Sequence, residues 1–236
     1  RELSNTIWQD FDTGFDVYGN PDLKATVIDS YDVRWEWYFT KKENLSFGVF
    51  YKEFESPIEQ VFTGGSDPGL LFINAQGAEL YGAEVEFSKR LAYKTPVLRD
   101  FTLAGNFAYM VSEISLGQNS SVTTAQKERP LQGQSQYMAN LLLDYELKKH
   151  KTNASLAYNV YGRRIAYLWP DGLPDVWEMP FHQLDLIFRK KIGRRMSVNG
   201  KIRNLLNPSL EFRQGDKLFQ EYKKGQSFTL GLSMEI

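Results

Sequence analysis

The most constraining feature of this sequence is an alternation of apolar and polar residues with a period of two, repeated in nine stretches along the chain. The last stretch shows it most clearly: Phe228, Leu230, Leu232, Met234 and Ile236 alternate with Ser227, Thr229, Gly231, Ser233 and Glu235. A period of two places successive side chains on opposite faces of a β-strand, so each strand has two different environments. Repeated over many strands, with aromatic residues on the apolar side, the pattern predicts an all-β, antiparallel, up-and-down transmembrane β-barrel.

Short and long connections alternate between the predicted strands. We expect strands at residues 27–39, 45–56, 78–91, 100–115, 135–147, 152–166, 179–191, 195–206 and 227–236. The long connections lie at about residues 57–77, 116–134, 167–178 and 207–224, the last a hairpin tip around Gly215 and Asp216. Residues 1–26 are predicted to form a loop. All long loops therefore share one side, which in outer-membrane barrels is extracellular.

A soluble antiparallel β-sandwich with one wet face per strand is the alternative fold. The mean hydropathy of −0.43 and the aromatic content of 14% fit both folds, because a barrel has a polar lumen and a sandwich has an aromatic core. The predicted strands are roughly 11–14 residues long, against ~5–6 in soluble sheets. This length, the systematic alternation of loop lengths and polar faces of mixed composition favour the barrel. The chain has no run of apolar residues long enough for a transmembrane helix.

Composition and motifs give no sign of catalysis, of a cofactor or of nucleic-acid binding. The net charge of −1 supplies no basic field, and the absence of cysteine removes disulfides and thiolate metal sites. His150 and His182 have no suitably spaced metal partner. Glu84 and Glu86 share one face of a predicted strand, about 7 Å apart, and are better explained as lumen carboxylates than as an acid–base pair. We therefore expect neither an enzyme nor a metal site.

Two sets of residues mark the predicted membrane boundaries. The outward faces carry aromatic side chains suited to the membrane interface: Trp35, Trp37, Tyr81, Tyr109, Tyr145 and Tyr158. The same residues would suit the core of a sandwich. Basic turns at Lys41-Lys42, Lys148 to Lys151 and Arg194-Arg195 lie on the predicted periplasmic side. Plain solubility explains these turns more simply than contact with the phosphates of the inner leaflet.

Several motifs resemble segments of one protein family and occur in the family's order. Tyr18-Gly19-Asn20-Pro21-Asp22-Leu23-Lys24, followed by Ser30-Tyr31-Asp32, resembles the segment before a late barrel strand of TonB-dependent outer-membrane receptors. The further matches are Phe50-Tyr51-Lys52 with Pro57-Ile58, Asn74-Ala75 with Tyr81-Gly82-Ala83-Glu84-Val85-Glu86, Tyr158-Asn159-Val160-Tyr161-Gly162-Arg163-Arg164, and Asn204-Leu205-Leu206-Asn207-Pro208. The resemblance is closest to receptors of the type found in Bacteroidetes, and it covers nearly the whole chain.

The resemblance implies a barrel of 22 strands that encloses a globular N-terminal plug. Residues 1–236 would then be the C-terminal part of that barrel, about its last nine strands. The plug, the segment that contacts TonB and the earlier strands are expected before Arg1, either in the same polypeptide or in a separate chain, because nine strands cannot close a barrel of this size. The end at Ile236 departs from the terminal aromatic residue that is usual in the family.

The resemblance also implies which residues carry function. The loops would select the ligand, and aromatic and charged loop residues suit sugars or cationic groups. The candidates are Trp8, Asp10, Asp12, Tyr18, Trp169, Asp171, Asp175, Trp177, Arg213 and Asp216. The lumen wall would hold the plug through inward residues, with Arg34, Glu84, Glu86, Asp144, Arg163, Asp185, Arg189 and Arg203 as candidates.

We therefore expect part of a receptor of the Gram-negative outer membrane that imports a scarce nutrient, such as a siderophore, cobalamin, a glycan or a peptide. The expected partners are its own plug and remaining strands, TonB, outer-membrane lipid and a surface lipoprotein, and no nucleic acid. Two alternatives stay open: a structural or secretion-linked outer-membrane component, and a soluble β-sandwich adhesion or carbohydrate-binding module.

Overall fold

The computed structural model describes residues 2–11, 14–63, 69–91, 98–115, 129–170, 172–193 and 195–234. These residues form the following strands in chain order: β1 (Ile7–Gln9), β2 (Asp16–Tyr18), β3 (Val27–Thr40), β4 (Glu43–Glu55), β5 (Ile58–Phe62), β6 (Leu70–Asn74), β7 (Gly77–Arg90), β8 (Phe101–Ser115), β9 (Tyr137–Leu147), β10 (Thr152–Tyr161), β11 (Arg164–Tyr167), β12 (Val176–Glu178), β13 (Phe181–Ile192), β14 (Met196–Arg203), β15 (Ser209–Gln214), β16 (Lys217–Lys223) and β17 (Ser227–Met234). Two short 3-10 helices, Leu98–Asp100 and Lys148–His150, lie in turns. Within the described ranges, no helix has the length and apolar character needed to cross a membrane.

The long strands form one nine-stranded sheet in the order β3-β4-β7-β8-β9-β10-β13-β14-β17. Every neighbouring pair is antiparallel, and the order in the sheet is the order in the chain. This confirms the nine predicted strands and the up-and-down topology. The connections also alternate as expected: the turns after β3, β7, β9 and β13 are short, and the links after β4, β8, β10 and β14 are long.

The cross-strand register keeps the apolar residues of neighbouring strands on one face. One row runs over six strands through Trp35, Phe47, Val85, Phe107, Ala139 and Val160. This outward face is open to its surroundings, and Val33 and Leu230 are 70% and 75% exposed. A slip of one residue would move every apolar side chain to the other face, so an apolar environment outside the sheet specifies this register strongly.

The links predicted as loops contain short strands that form two further sheets. Strands β1, β2, β6 and β5 make one four-stranded sheet, and β11, β12, β15 and β16 make the other. The predictions of loop structure for residues 1–26, 57–77 and 167–178 were therefore wrong in part. The predicted hairpin around Gly215 and Asp216 is confirmed as the turn between β15 and β16. The described part of the link after β8 contains no strand, and residues 64–68 and 116–128 lie outside the described residues.

The sixth predicted strand, 152–166, is shorter than expected. β10 ends at Tyr161, and β11 leaves the large sheet to pair with β12. Gly162 marks the departure, because its N–H donates to the Tyr137 carbonyl and a Cβ there would lie 2.7 Å from the Tyr137 ring. Past this point the alternation loses its phase, because Arg164 falls on the apolar side and Ile165 on the polar side, but the pattern does not show which strand β11 pairs with.

The first and last strands of the large sheet are its edges. Within the described residues, β3 pairs only with β4 and β17 only with β14, so the sheet is open. Unpaired strand edges inside a membrane leave N–H and C=O groups without partners, at a cost of several kcal/mol each. The edges therefore require further strands, as the prediction of a C-terminal barrel portion supposes.

Close strand packing at Gly82 gives a test of this register. A Cβ at Gly82 would lie 2.5 Å from the Tyr109 carbonyl and 2.6 Å from the Phe50 ring, whereas at Gly231 the nearest neighbouring atom is 4.0 Å away. We expect Gly82→Ala to destabilise the sheet by about 1–3 kcal/mol, because backbone cannot move aside cheaply. Gly231→Ala, also on the inner face, should have little effect. The measurement is the temperature at which the membrane-extracted protein loses its SDS-resistant folded form, and equal temperatures for both variants would contradict this register.

Candidate functional site

The long connections pack together at one end of the large sheet. We call this assembly the loop body; it comprises β1, β2, β5, β6, β11, β12, β15, β16 and residues 129–136. Two clusters of buried apolar residues, one around Val17, Phe62, Leu70 and Phe72 and one around Val176, Phe181, Leu210 and Phe212, share Tyr167, Trp169 and Phe219 at their border. The connections thus have a common hydrophobic interior, which is unusual for segments that run over a surface.

Phe62 lies at the centre of the loop body. Its ring is 4.4 Å from Trp169, 4.9 Å from Phe15, 5.4 Å from Tyr167 and 6.3 Å from Phe219, measured between centroids. These rings come from the N-terminal segment and from the links after β10 and β14, while Phe62 itself follows β4. Aromatic pairs at such distances add stabilisation beyond their buried area. One side chain therefore joins the N-terminal segment and three of the long connections.

A buried ion pair joins a fifth segment to this interior. Arg129 donates to both carboxylate oxygens of Glu59, at 2.9 Å and 2.6 Å, and the two side chains are 0% and 1% exposed. Gln132 supports the pair: its N–H donates to Glu59 at 3.2 Å and its side chain bonds the backbone of Gln60 and Ala166. This bidentate pair holds residues 129–132 against β5, and the buried Arg129 Nε makes no hydrogen bond.

Asp175 is a second buried carboxylate of the loop body. It accepts the Trp169 N–H at 3.0 Å. Burial raises the pKa of the Asp175 carboxyl, and the Trp169 N–H and the nearby Arg129 guanidinium offset part of that rise. Its contacts lie inside the loop body and orient the segment that carries Trp169.

The predicted ligand-binding residues occupy different positions in the loop body. Trp8 stacks on Phe72, Tyr18 lies in β2, Trp177 packs beside Val61, Ile165 and Leu168, and Trp169 and Asp175 belong to the interior. Asp10 is half-buried, and its backbone bonds Gly14 and Phe15. Arg213 pairs with Glu211 at 2.9 Å, and Asp216 is exposed at the hairpin tip. Asp12 and Asp171 lie outside the described residues. Ligand binding by this set stays a prediction.

The inner face of the large sheet carries a polar cluster centred on Arg34. Its guanidinium donates to Glu36 at 2.7 Å, to Glu84 at 3.2 Å, to Glu86 at 2.9 Å and to Ser46 at 3.0 Å. Tyr38 also donates to Glu36, at 2.5 Å. Three carboxylates around one guanidinium leave an excess of negative charge on this part of the wall. The cluster brings together three of the predicted lumen residues.

The other predicted lumen residues are spread along the sheet. Asp144 accepts the Ser155 hydroxyl at 2.6 Å, and Asp185 accepts Gln183 and the Asn204 N–H at 3.0 Å and 2.9 Å. Arg189 and Arg203 are exposed on the inner face. Arg163 lies beyond the end of β10, with its guanidinium 4.8 Å from the Trp177 ring centroid. It therefore belongs with the loop body rather than with the sheet wall.

Some interacting residues were not singled out from the sequence. Glu59 and Arg129 are 70 residues apart and show no motif. The period of two puts Glu36 on the same polar face as Arg34, but the bond between them follows only from the geometry. Among the residues that the structure describes, no group of three or more His, Asp and Glu side chains is arranged to hold a metal ion.

A family model described as "TonB dependent receptor-like, beta-barrel" matches residues 3–205. The chain belongs to this family. The membership decides between the barrel and the sandwich, so the nine-stranded sheet is barrel wall in the outer membrane of a Gram-negative bacterium. It also identifies the outward aromatic residues as lipid-facing. The family is one of receptors, in agreement with the expectation that the chain is not an enzyme.

Solved structures show the same fold at low sequence identity. The chain is similar to the FrpB iron transporter of Neisseria meningitidis, with a TM-score of 0.59 and 12% identity over 92% of this chain and 31% of that one. It is similar to the ferric enterobactin receptor PfeA of Pseudomonas aeruginosa in complex with enterobactin, with a TM-score of 0.59 and 16% identity over 93% of this chain and 33% of that one. It is also similar to the ferric-catecholate import receptor Fiu of E. coli K12, with a TM-score of 0.60 and 14% identity over 90% of this chain and 28% of that one. The chain thus spans about a third of the length of these proteins. No curated protein matches it.

The buried ion pair gives a test of the loop body. Glu59→Gln leaves the buried Arg129 charge uncompensated, so we expect a loss of about 3–5 kcal/mol in local stability. Glu211→Gln removes the half-exposed pair with Arg213 and should cost only about 0–1 kcal/mol. The measurement is amide hydrogen exchange of β5 and residues 129–136, with β8 as the internal reference. If the amides of β5 exchanged at the wild-type rate in Glu59→Gln, this would contradict the conclusion that the ion pair holds residues 129–132 against β5.

Proposed function

We propose that this chain forms part of the wall and the ligand gate of a TonB-dependent receptor that imports a scarce nutrient across the outer membrane. The observation that carries the proposal is the loop body: the N-terminal segment and three long connections share one aromatic interior above a wall with a polar inner face. Such a body presents a preorganised surface to the cell exterior, and preorganisation lowers the ordering cost of ligand binding.

An iron-loaded siderophore is the nutrient class that we propose to test first. The structurally similar proteins are named as an iron transporter, a ferric enterobactin receptor and a ferric-catecholate import receptor. Those names support the class only through the shared fold, since loop sequences decide specificity. Cobalamin, glycans and peptides are the competing classes.

The loop body divides the predicted ligand residues into two proposed roles. Trp8, Trp169 and Asp175 shape the interior and so support the surface. Arg213 and Asp216, in and beyond β15, lie where an incoming ligand would meet the hairpin first. On this proposal, changes at Asp216 alter ligand affinity, whereas changes at Asp175 alter the order of the loop body.

The inner wall would hold the plug. The carboxylate excess around Arg34 suits cationic side chains of a plug, and Asp144, Asp185, Arg189 and Arg203 extend a polar surface along the sheet. The open edges of β3 and β17 would pair with the remaining strands. TonB would act on the plug from the periplasm through a segment outside this chain. A surface lipoprotein partner stays a prediction without support from the loop body.

The test of function is uptake by cells that lack the full-length receptor gene. Deletion should abolish TonB-dependent uptake of one 55Fe-loaded siderophore, and re-expression of the gene should restore it. A growth defect that appears only when cobalamin, a glycan or a peptide is the nutrient would support a receptor function but reject the siderophore class. Normal uptake of every class, with a defect in envelope integrity or secretion, would favour the structural alternative instead.

The wall cluster gives a second test. Cells that express the triple variant Arg34→Gln, Glu84→Gln and Glu86→Gln should become severalfold more sensitive to vancomycin, because a loosened plug opens the lumen to large solutes. The matched control is Glu53→Gln with Glu79→Gln, which lie outward on β4 and β7. Unchanged sensitivity of the triple variant, at equal receptor levels in the membrane, would reject the plug-holding role.

A further inference from the structure

The outward face of the large sheet has opposite charge at its two ends. At the loop-body end, four carboxylates lie in one cross-strand row: Asp29 is opposite Glu53, Glu53 is opposite Glu79, and Glu79 is opposite Glu113. All four are exposed. Like charges directly opposite each other destabilise a sheet, so pairing within the sheet does not account for this row.

The short-turn end of the sheet is basic. We call Lys148, Lys149, Lys151, Lys190, Lys191 and Arg195 the basic rim; they lie in or beside the turns that join β9 to β10 and β13 to β14. The two turns are neighbours, because the Lys191 N–H donates to the Lys151 carbonyl at 3.0 Å. Among the described residues of these two turns and the strand ends beside them, Glu146 is the one acid. Lys89 and Arg90, at the end of β7, lie towards Lys41 and Lys42, but Glu43 pairs with Lys89 at 3.2 Å and offsets part of the positive charge there.

An apolar and aromatic band borders the basic rim directly. Lys190 follows Phe188 on the outward face, and Ile192 and Met196 flank the same turn with 50% and 44% of their surface exposed. Tyr145 lies on the next outward row, with its ring 4.7 Å from that of Phe101. Apolar rows, the aromatic pair and then the cations of the turns follow the order of acyl chain, interface and headgroup in a lipid leaflet. Lys190 lies within the last apolar rows, and a lysine side chain is long enough to extend from such a position to the headgroups.

The inner face at the same turns carries further positive charge. Lys148, Lys151, Arg189 and Lys191 line a concavity of about 370 Å³ together with Glu146, Leu147 and Asn153. Arg189 and Lys191 point to the inner face, so they do not contact lipid themselves. Their field extends about a Debye length, ~10 Å at 0.1 M salt, and adds to the attraction of anionic headgroups by the outward cations.

We propose that the basic rim binds the phosphates of anionic glycerophospholipids in the membrane leaflet at the short-turn end. Charge complementarity identifies the partner, and the carboxylate row at the opposite end repels the same headgroups. The basic residues in the turns could by themselves be explained by the need for solubility. The register adds Lys190 on the outward face and the bordering apolar band, which solubility does not explain. The proposal is independent of the nutrient that the receptor imports.

The test uses the full-length receptor in detergent, with bound lipid counted by native mass spectrometry during titration with phosphatidylglycerol or phosphatidylcholine. We expect wild-type receptor to bind phosphatidylglycerol more tightly, and the preference to vanish near 1 M ammonium acetate, where the Debye length is about 3 Å. The variant Lys148→Gln, Lys149→Gln and Lys190→Gln should weaken phosphatidylglycerol binding about fivefold per removed charge. Its phosphatidylcholine binding should not change.

The control variant is Lys24→Gln, Lys217→Gln and Lys223→Gln, which makes the same charge change on exposed residues of the loop-body end. It should bind phosphatidylglycerol as the wild type does. Equal wild-type affinity for the two lipids, which requires no variant, would overturn the proposal. Unchanged phosphatidylglycerol binding by the rim variant would also overturn it, and would point to an acidic periplasmic polypeptide as the occupant.

Discussion

The structure depends on one constraint: each membrane-crossing strand must satisfy its N–H and C=O groups through its neighbours, in one register. That register also fixes which side chains lie next to each other on each face of the sheet. It aligns the apolar residues from Trp35 to Val160 into an outward row and leaves Arg34, Glu84 and Glu86 together on the inner face. The outward carboxylate row and the basic rim follow from the same pairing. A slip of one residue would exchange the two faces, so lipid contact and wall chemistry cannot change independently.

The loop body is a second consequence of the up-and-down order. Because the long connections all leave the sheet at one end, they are close enough to share an interior. Phe62 joins three of them and the N-terminal segment, and the Glu59–Arg129 pair adds the segment before β9. A buried ion pair contributes little net stability, but breaking it is costly, so it specifies one arrangement of the loops. On our proposal, that single arrangement is what the ligand meets.

The chain therefore has three surfaces with different chemistry. The loop body has an aromatic interior and exposes both polar and apolar side chains, the inner wall has excess carboxylate around Arg34, and the outward face is apolar with acidic and basic ends. On our proposals these surfaces face a nutrient, a plug and lipid. The separation follows from the strands themselves, because successive side chains point to opposite faces and each strand ends in a loop of a different kind. On the proposal that further strands complete the barrel, the rest of the wall would pair with the open edges of β3 and β17.

The sequence by itself determined the nine long strands, the face to which each side chain points and the alternation of loop lengths. A period of two is a local property, so these features can be read without knowing any partner. Only the tertiary structure decided which loop segments become strands, because β2 pairs with β6 and β12 with β15 across long stretches of chain. It also decided that β10 ends at Tyr161, that Glu59 meets Arg129, and that Trp8 and Trp169 lie in an interior. These contacts join residues far apart in the chain, and hydrophobic packing and ion pairing between such residues have no local signature.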